Sequence, residues 1–224
     1  QDMWKNLINR LLWWRGVLDS CACGKRTRRS RFSRSGNRCA VILSPIDCLE
    51  PRLLLTFTTM IDNGPSANRV DLGVGGDGYT IDDISTSYVA DINSMLDHMF
   101  ASGEDPFPRY SKFFNTHRVD VISAQSGADV PPEGIFRDTA LDASYYFDGT
   151  TERLLHINET KANEIVSTEM ATAGFTPEMR LATINDSRYG GAGGQWASFA
   201  GKNSSAPEIA LHELGHSFSG LADE

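Results

Sequence analysis

From residue 53 onward the chain contains no cysteine; all four, Cys21, Cys23, Cys39 and Cys48, lie ahead of that point. Neither disulfides nor thiolate-bound zinc can therefore hold the body together, and its core must be stable through apolar burial alone. Cys21 and Cys23, separated by one residue with no histidine nearby, are also too close for the usual C-x₂₋₄-C metal pair. No run approaches the roughly 18 consecutive apolar residues of a membrane-spanning helix. Positive charge is scarce in the body too. Residues 1–52 carry 11 Lys and Arg against 4 Asp and Glu, a balance of +7, and residues 53–224 carry 10 against 25, a balance of −15, which together make the formal −8. An acidic body repels phosphate, so it is a poor candidate for nucleic-acid binding and no such partner is expected.

What the first 60 residues do have is basic charge and local pattern. Met3 to Leu18 places Trp4, Leu7, Ile8, Leu11, Leu12 and Leu18 at helical spacing among Lys5, Arg10 and Arg15, a basic amphipathic pattern that could touch a membrane surface transiently. Lys25 to Arg38 is basic and Ser-rich with no apolar face, and is expected to be disordered. Leu49-Glu50-Pro51-Arg52-Leu53-Leu54-Leu55 resembles the LEPR-XLL segment near the N termini of large exported bacterial proteins. That resemblance implies a secreted or cell-envelope destination. The expected division is a largely disordered N-terminal segment over 1–60 and a folded domain over 61–224.

After the turn-rich Asp62-Asn63-Gly64-Pro65-Ser66, Val70 to Val74 reads as a strand running into GVGGDG, Gly73 to Gly78, taken as a tight strand-to-helix turn. A helix is expected from Thr80 as N-cap, with Ile81, Ile84, Tyr88, Ile92, Met95 and Met99 on one face. Arg118 to Ser123 is a second strand, Asn158 to Ala173 a helix stopped by Gly174, and Met179 to Ile184 a third strand. Tyr189 to Gly194 reads as a flexible loop, and Gln195 to Phe199 as an edge strand able to pair with an extended peptide. Ser205-x-x-Glu208 with Pro207 is a capping box that opens a last helix, which Gly220 should terminate. Strands alternating with helices and no internal repeat predict an α/β fold.

That last helix carries His212-Glu213-Leu214-Gly215-His216. Residues four apart on a helix lie ~40° apart in projection and one turn apart along the axis. Both imidazoles therefore face one point and can take two corners of a Zn²⁺ tetrahedron. Glu213 is rotated off that face and reaches the metal's water as a general base, the combination that peptide hydrolysis needs. A third ligand is required. Counted from Gly220, Gly220-Leu221-Ala222-Asp223 supplies an aspartate if the glycine bends the chain back, and Glu224 is the alternative. His98, His117 and His156 receive no role. A rival reading takes Gly73–Gly78 as the G-x-G-x-x-G of a dinucleotide site, with Asp97 as the ribose partner. Against it, Asp97 falls inside the amphipathic helix and Asp77 would set a carboxylate against the pyrophosphate.

HELGHSFSGLADE closely resembles the active-site segment of the IgA-peptidase family of bacterial zinc metallopeptidases. So do Asn68-Arg69-Val70-Asp71, Gly76-Asp77-Gly78-Tyr79-Thr80, Pro106-Phe107 with Tyr110 and Phe113-Phe114-Asn115, Ser126-Gly127-Ala128-Asp129 and Tyr189-Gly190-Gly191. The resemblance implies a metzincin-like N-terminal subdomain, a mixed twisted sheet with flanking helices and a terminal active-site helix. It further implies His212 and His216 as ligands, Glu213 as base, Asp223 as third ligand and a protein substrate. In the family a tyrosine and a C-terminal subdomain follow, so the chain is expected to be the N-terminal part of a longer enzyme. The function expected is zinc-dependent endopeptidase, the alternative being a secreted non-catalytic binding module that keeps the zinc site.

Overall fold

The computed structural model describes residues 55–222. The amphipathic, basic and LEPR-XLL-like stretches, all but Leu55 of the last, lie outside the described residues, as do Asp223 and Glu224. Six strands form one sheet: β1 (Thr56–Ile61), β2 (Val70–Asp77), β3 (Phe114–Asp120), β4 (Met179–Ile184), β5 (Gly191–Ala192) and β6 (Ala197–Ala200). Their order is β1-β3-β2-β4-β6-β5. The central strands β3, β2, β4 and β6 run parallel, and the two outer ones, β1 and β5, are antiparallel to their neighbours. The α/β class and the mixed sheet with a C-terminal helix agree with the sequence. Strand β1 has no counterpart in the sequence reading, and it straddles the boundary expected at residues 60 and 61.

A parallel sheet must be covered on both faces, and alternation along each strand divides the core accordingly. Leu72 and Val74 of β2, Met179 and Leu181 of β4, and Ala197 and Phe199 of β6 point to one side. There they meet Tyr88, Ile92, Met95 and Met99 of helix α1 (Ser87–Met99) and Ile209, Ala210 and Leu214 of a helix from Ala206 to Ser219. Ala182, Ile184, Trp196 and Ala200 point to the other side. They meet Ala162, Val166 and Met170 of helix α2, which is built from Glu159–Ala162, a π-helical stretch Asn163–Ser167 and Thr168–Thr172. The helix from Ala206 to Ser219 is α3.

The glycines of GVGGDG are not a turn. Gly73, Gly75 and Gly76 lie inside β2, and only Gly78 turns, at φ +69°. A β-carbon at Gly73 would come 2.6 Å from Met170 Sδ, one at Gly75 2.9 Å from a Val166 methyl, and one at Gly76 2.7 Å from the Tyr88 ring. The missing side chains thus let α2 and Tyr88 pack onto the strand, and no room remains for a pyrophosphate. Asp77, wholly buried, accepts hydrogen bonds from Ser123 Oγ (3.0 Å) and from the amides of Leu141 and Ala143 (2.9 Å each). Burial pushes its pKa up while those donors work against the push. The residue tethers the long 121–157 connection to the sheet.

Other boundaries shift for local reasons. Helix α1 starts at Ser87 rather than after Thr80, because Asp83 Oδ2 accepts from both Thr80 N and Thr80 Oγ1 and closes a separate turn. Ile81 is correspondingly exposed. The second strand runs over Phe114–Asp120, beginning four residues and ending three residues ahead of expectation. The third strand falls where the periodicity puts it, and the Asn158 side chain caps α2 by accepting from Lys161 N.

The edge of the sheet also differs. The segment Gln195 to Phe199 was expected to form it, but β6 is flanked by β4 on one side and β5 on the other. The edge is the glycine segment itself. The Gly191 amide donates to Arg153 O (3.0 Å) and its carbonyl accepts from Leu155 N (3.3 Å), so a passing loop already occupies that edge. Nor is Tyr189–Gly194 loose. Ser217 Oγ donates to Gly194 O at 2.7 Å, and Glu159 Oε1 accepts from the amides of Gln195 and Trp196 at 2.8 and 3.2 Å.

Candidate metal centre

Helix α3 positions the site. Its apolar residues Ile209, Ala210 and Leu214 lie against the sheet, which turns His212 outward and leaves Glu213 buried beneath β5. Pro207 sits in the first turn, while Ser205 makes no side-chain cap. Glu208, expected to complete the capping box, instead approaches His98 of α1. At the other end Gly220 adopts φ +64°, as its place after the last apolar residue predicts. Its amide donates to His216 O at 3.0 Å, and the Leu221 amide reaches Gly215 O at 3.3 Å. The chain therefore turns back on the helix at that point.

That turn orients an imidazole. The Leu221 carbonyl lies 2.6 Å from His216 Nδ1, and a carbonyl can only accept, so Nδ1 carries the proton and Nε2 presents its lone pair. His216 Nε2 is 3.0 Å from His212 Nε2, with the two rings edge to face. A ligand oxygen of Glu213 and the histidine nitrogens all lie within 4.8 Å of one another. For a tetrahedral zinc at 2.0–2.1 Å from each nitrogen, the nitrogens should be about 3.3 Å apart. The pair fits such an ion after opening by a few tenths of an ångström. The backbone carbonyl behind His216 is the outer partner that metal-binding histidines ordinarily have. The third expected ligand, Asp223, and its alternative, Glu224, lie outside the described residues.

The glycine segment closes over this arrangement. A β-carbon at Gly191 would stand 2.6 Å from the Ile209 Cγ2 methyl and 2.9 Å from Glu213 Cγ and Oε1, and one at Gly193 2.5 Å from His216 Cβ. Tyr145 lies against Gly190 and donates its hydroxyl to Arg188 O at 2.9 Å; burial raises its phenol pKa. In front of the helix is a cleft of about 430 Å³ lined by Arg153, Tyr189, Gly191, Glu208, His212 and Glu213. Arg153 and Glu208 were not foreseen there. Glu208 could have been, since it sits one turn ahead of His212. Arg153 arrives from a distant loop and left no local signal.

Several other motifs prove to be scaffolding. Asp71 Oδ1 accepts from Asn115 Nδ2 at 2.8 Å, and Asn115 Oδ1 accepts from the Asn63 amide at 2.8 Å. Asn185 Nδ2 donates to Gly78 O and to Ser126 Oγ. His117 is buried between Phe57 and Phe175, and burial lowers its pKa. His156 packs against Phe147, and burial lowers its pKa as well.

A mixed sheet over a helix bearing a convergent histidine pair beside a glutamate is an arrangement suited to a metallopeptidase. Residues 58–224 match the family model described as IgA Peptidase M64, and the chain belongs to this metallopeptidase family. No match is found among curated proteins.

Proposed function

We propose that the chain is a zinc-dependent endopeptidase domain acting on protein substrates. The observation that carries this reading is the convergence of His212 and His216 Nε2 at 3.0 Å, with Glu213 beside them at the floor of a cleft. His212 and His216 would hold the ion, with Asp223 as the third ligand. When bound, zinc supplies a Lewis acid that polarises the scissile carbonyl and acidifies a water molecule.

The chain's own groups do the rest. Glu213 takes a proton from the attacking water and delivers it to the leaving amine, the role its rotation away from the histidine face allows. Its burial under Gly191 limits the water around the carboxylate, which strengthens its interaction with a proton in flight. The His216 Nδ1–H bond to Leu221 O fixes the ring tautomer. The LEPR-XLL-like segment supports a further proposal, export to the envelope or beyond.

The test is zinc stoichiometry together with casein cleavage, compared with Glu213→Ala. Cleavage that needs both zinc and Glu213 is expected, with a loss of about 10²–10⁴ in kcat on substitution. Bound zinc with no Glu213-dependent cleavage would sink the enzymatic reading and favour a binding module.

A further inference from the structure

His216 sits in the last turn of α3, which Gly220 ends. Terminal turns fray, because their carbonyls have no partner within the helix. A ligand placed there keeps meeting His212 only if the turn is pinned from outside. One pin is the chain's own return, the Leu221 amide on Gly215 O. The other is the loop of residues 193–196 that joins β5 to β6. Ser217 Oγ donates to Gly194 O at 2.7 Å, and a β-carbon at Gly193 would come 2.5 Å from His216 Cβ.

That loop opens with two glycines, the residues with most backbone freedom to lose. It can hold α3 only as firmly as it is itself held, and its hold comes from α2. Glu159, the first residue of α2, accepts from the Gln195 and Trp196 amides through a single oxygen, Oε1, at 2.8 and 3.2 Å. A β-carbon at Gly194 would stand 2.7 Å from that same oxygen, so the carboxylate fills the space beside the glycine. One turn further along α2, Asn163 accepts from Trp196 Nε1 at 3.1 Å and donates to Gln195 Oε1 at 2.7 Å. Bonds to a carboxylate are the stronger of these two ties.

We propose that Glu159 is a positioning residue of the metal centre. By holding the 193–196 loop it keeps the glycines against the last turn of α3, and His216 in line with His212. The path runs from Glu159 Oε1 through the loop to Gly194 O, then to Ser217 Oγ beside the ligand. The proposal rests on the reading of His212 and His216 as metal ligands.

The test measures Zn²⁺ affinity of the full chain with its cysteines alkylated, and amide hydrogen exchange of the metal-free protein across the last turn of α3. Glu159→Ala should weaken zinc about tenfold, the low end for partners that orient a ligand, and speed that exchange. Glu159→Gln keeps an accepting oxygen and should recover most of both. Ser217→Ala should weaken zinc by a similar factor, and the double variant no further than the weaker single one, because both cut one path. Asn158→Ala, which removes the cap of α2 and leaves the loop alone, should lower Tm and keep zinc affinity within about twofold. Should Glu159→Ala fail to fold, Asn163→Ala, which removes the loop's other tie to α2, takes its place. Parent zinc affinity in Glu159→Ala overturns the proposal, as does an additive double variant or an equal loss in Asn158→Ala. A parent chain that binds no zinc, or binds it equally after His212→Ala/His216→Ala, counts against the metal reading, and exchange then decides. Parent-like protection of the last turn in Glu159→Ala overturns the positioning role, and faster exchange there sustains it.

Discussion

Gly191→Ala is the smallest change that should disturb the metal centre without touching a ligand. Gly191 has no left-handed φ, so alanine meets no backbone penalty and the effect is purely one of contact. The added carbon would lie 2.6 Å from Ile209 Cγ2 and 2.9 Å from Glu213 Cγ, whereas carbon pairs prefer 3.5–4.0 Å. About an ångström of displacement between β5 and α3 is needed to relieve both overlaps. Overpacking of this kind costs about 1–3 kcal/mol. For a domain of this size that lowers Tm by roughly 2–4 °C per kcal/mol. The displacement falls on Glu213, and an ångström of misplacement can cost ~10² in rate. Thermal unfolding and casein cleavage should therefore both report the change, and kcat should drop further than the loss of folded protein explains. Gly103→Ala, where an added carbon meets nothing within 4 Å, is the control expected to stay near parent values. A Gly191→Ala protein with parent Tm and activity within twofold would refute the packing of β5 on α3.

Gly220→Ala has open space around it, so its cost is the left-handed backbone alone, about 1–2 kcal/mol. If the turn relaxes, His216 loses the Leu221 carbonyl and zinc affinity by dialysis should fall about 10- to 100-fold. Asp77→Asn turns one accepting oxygen into a donor facing a backbone N–H or the Ser123 hydroxyl, and should destabilise the domain by about 3 kcal/mol in urea unfolding with an unchanged m-value. His117 is held below its ordinary pKa by burial, so the unfolded chain binds more protons once the pH drops under about 6.5. Stability should therefore fall as the pH is lowered from there towards the folded-state pKa. A His117→Gln protein should show a shallower fall; His156 is shifted the same way, while Asp77, Asp91 and Asp120, raised by burial, act against it.

How much of this could be read from the chain depended on whether the signal was local. The α3 helix, its glycine stop and the convergence of His212 with His216 follow from helical period and C-cap chemistry, and all three appear in the structure. Strand β4 was legible as a short apolar run, and α2 as a stretch of helical composition stopped by Gly174. The errors arose where distant residues decide. Gly73, Gly75 and Gly76 look like a turn until Met170, Val166 and Tyr88 are seen filling the spaces beside them. Thr80 looks like an N-cap, but Asp83 uses it for a turn of its own. Arg153 reaches the cleft, and Leu155 the sheet edge, on a 121–157 connection held by Asp77, by the Tyr145 hydroxyl on Arg188 O and by Ser198 Oγ on Leu155 O, contacts that no periodicity reveals.

The occupied edge at Gly191 has one more consequence. With its amide and carbonyl both spent on the 153–155 loop, Gly191 offers no free backbone group onto which a stray polypeptide could be zipped. Backbone pairing by a second chain is blocked at Gly191.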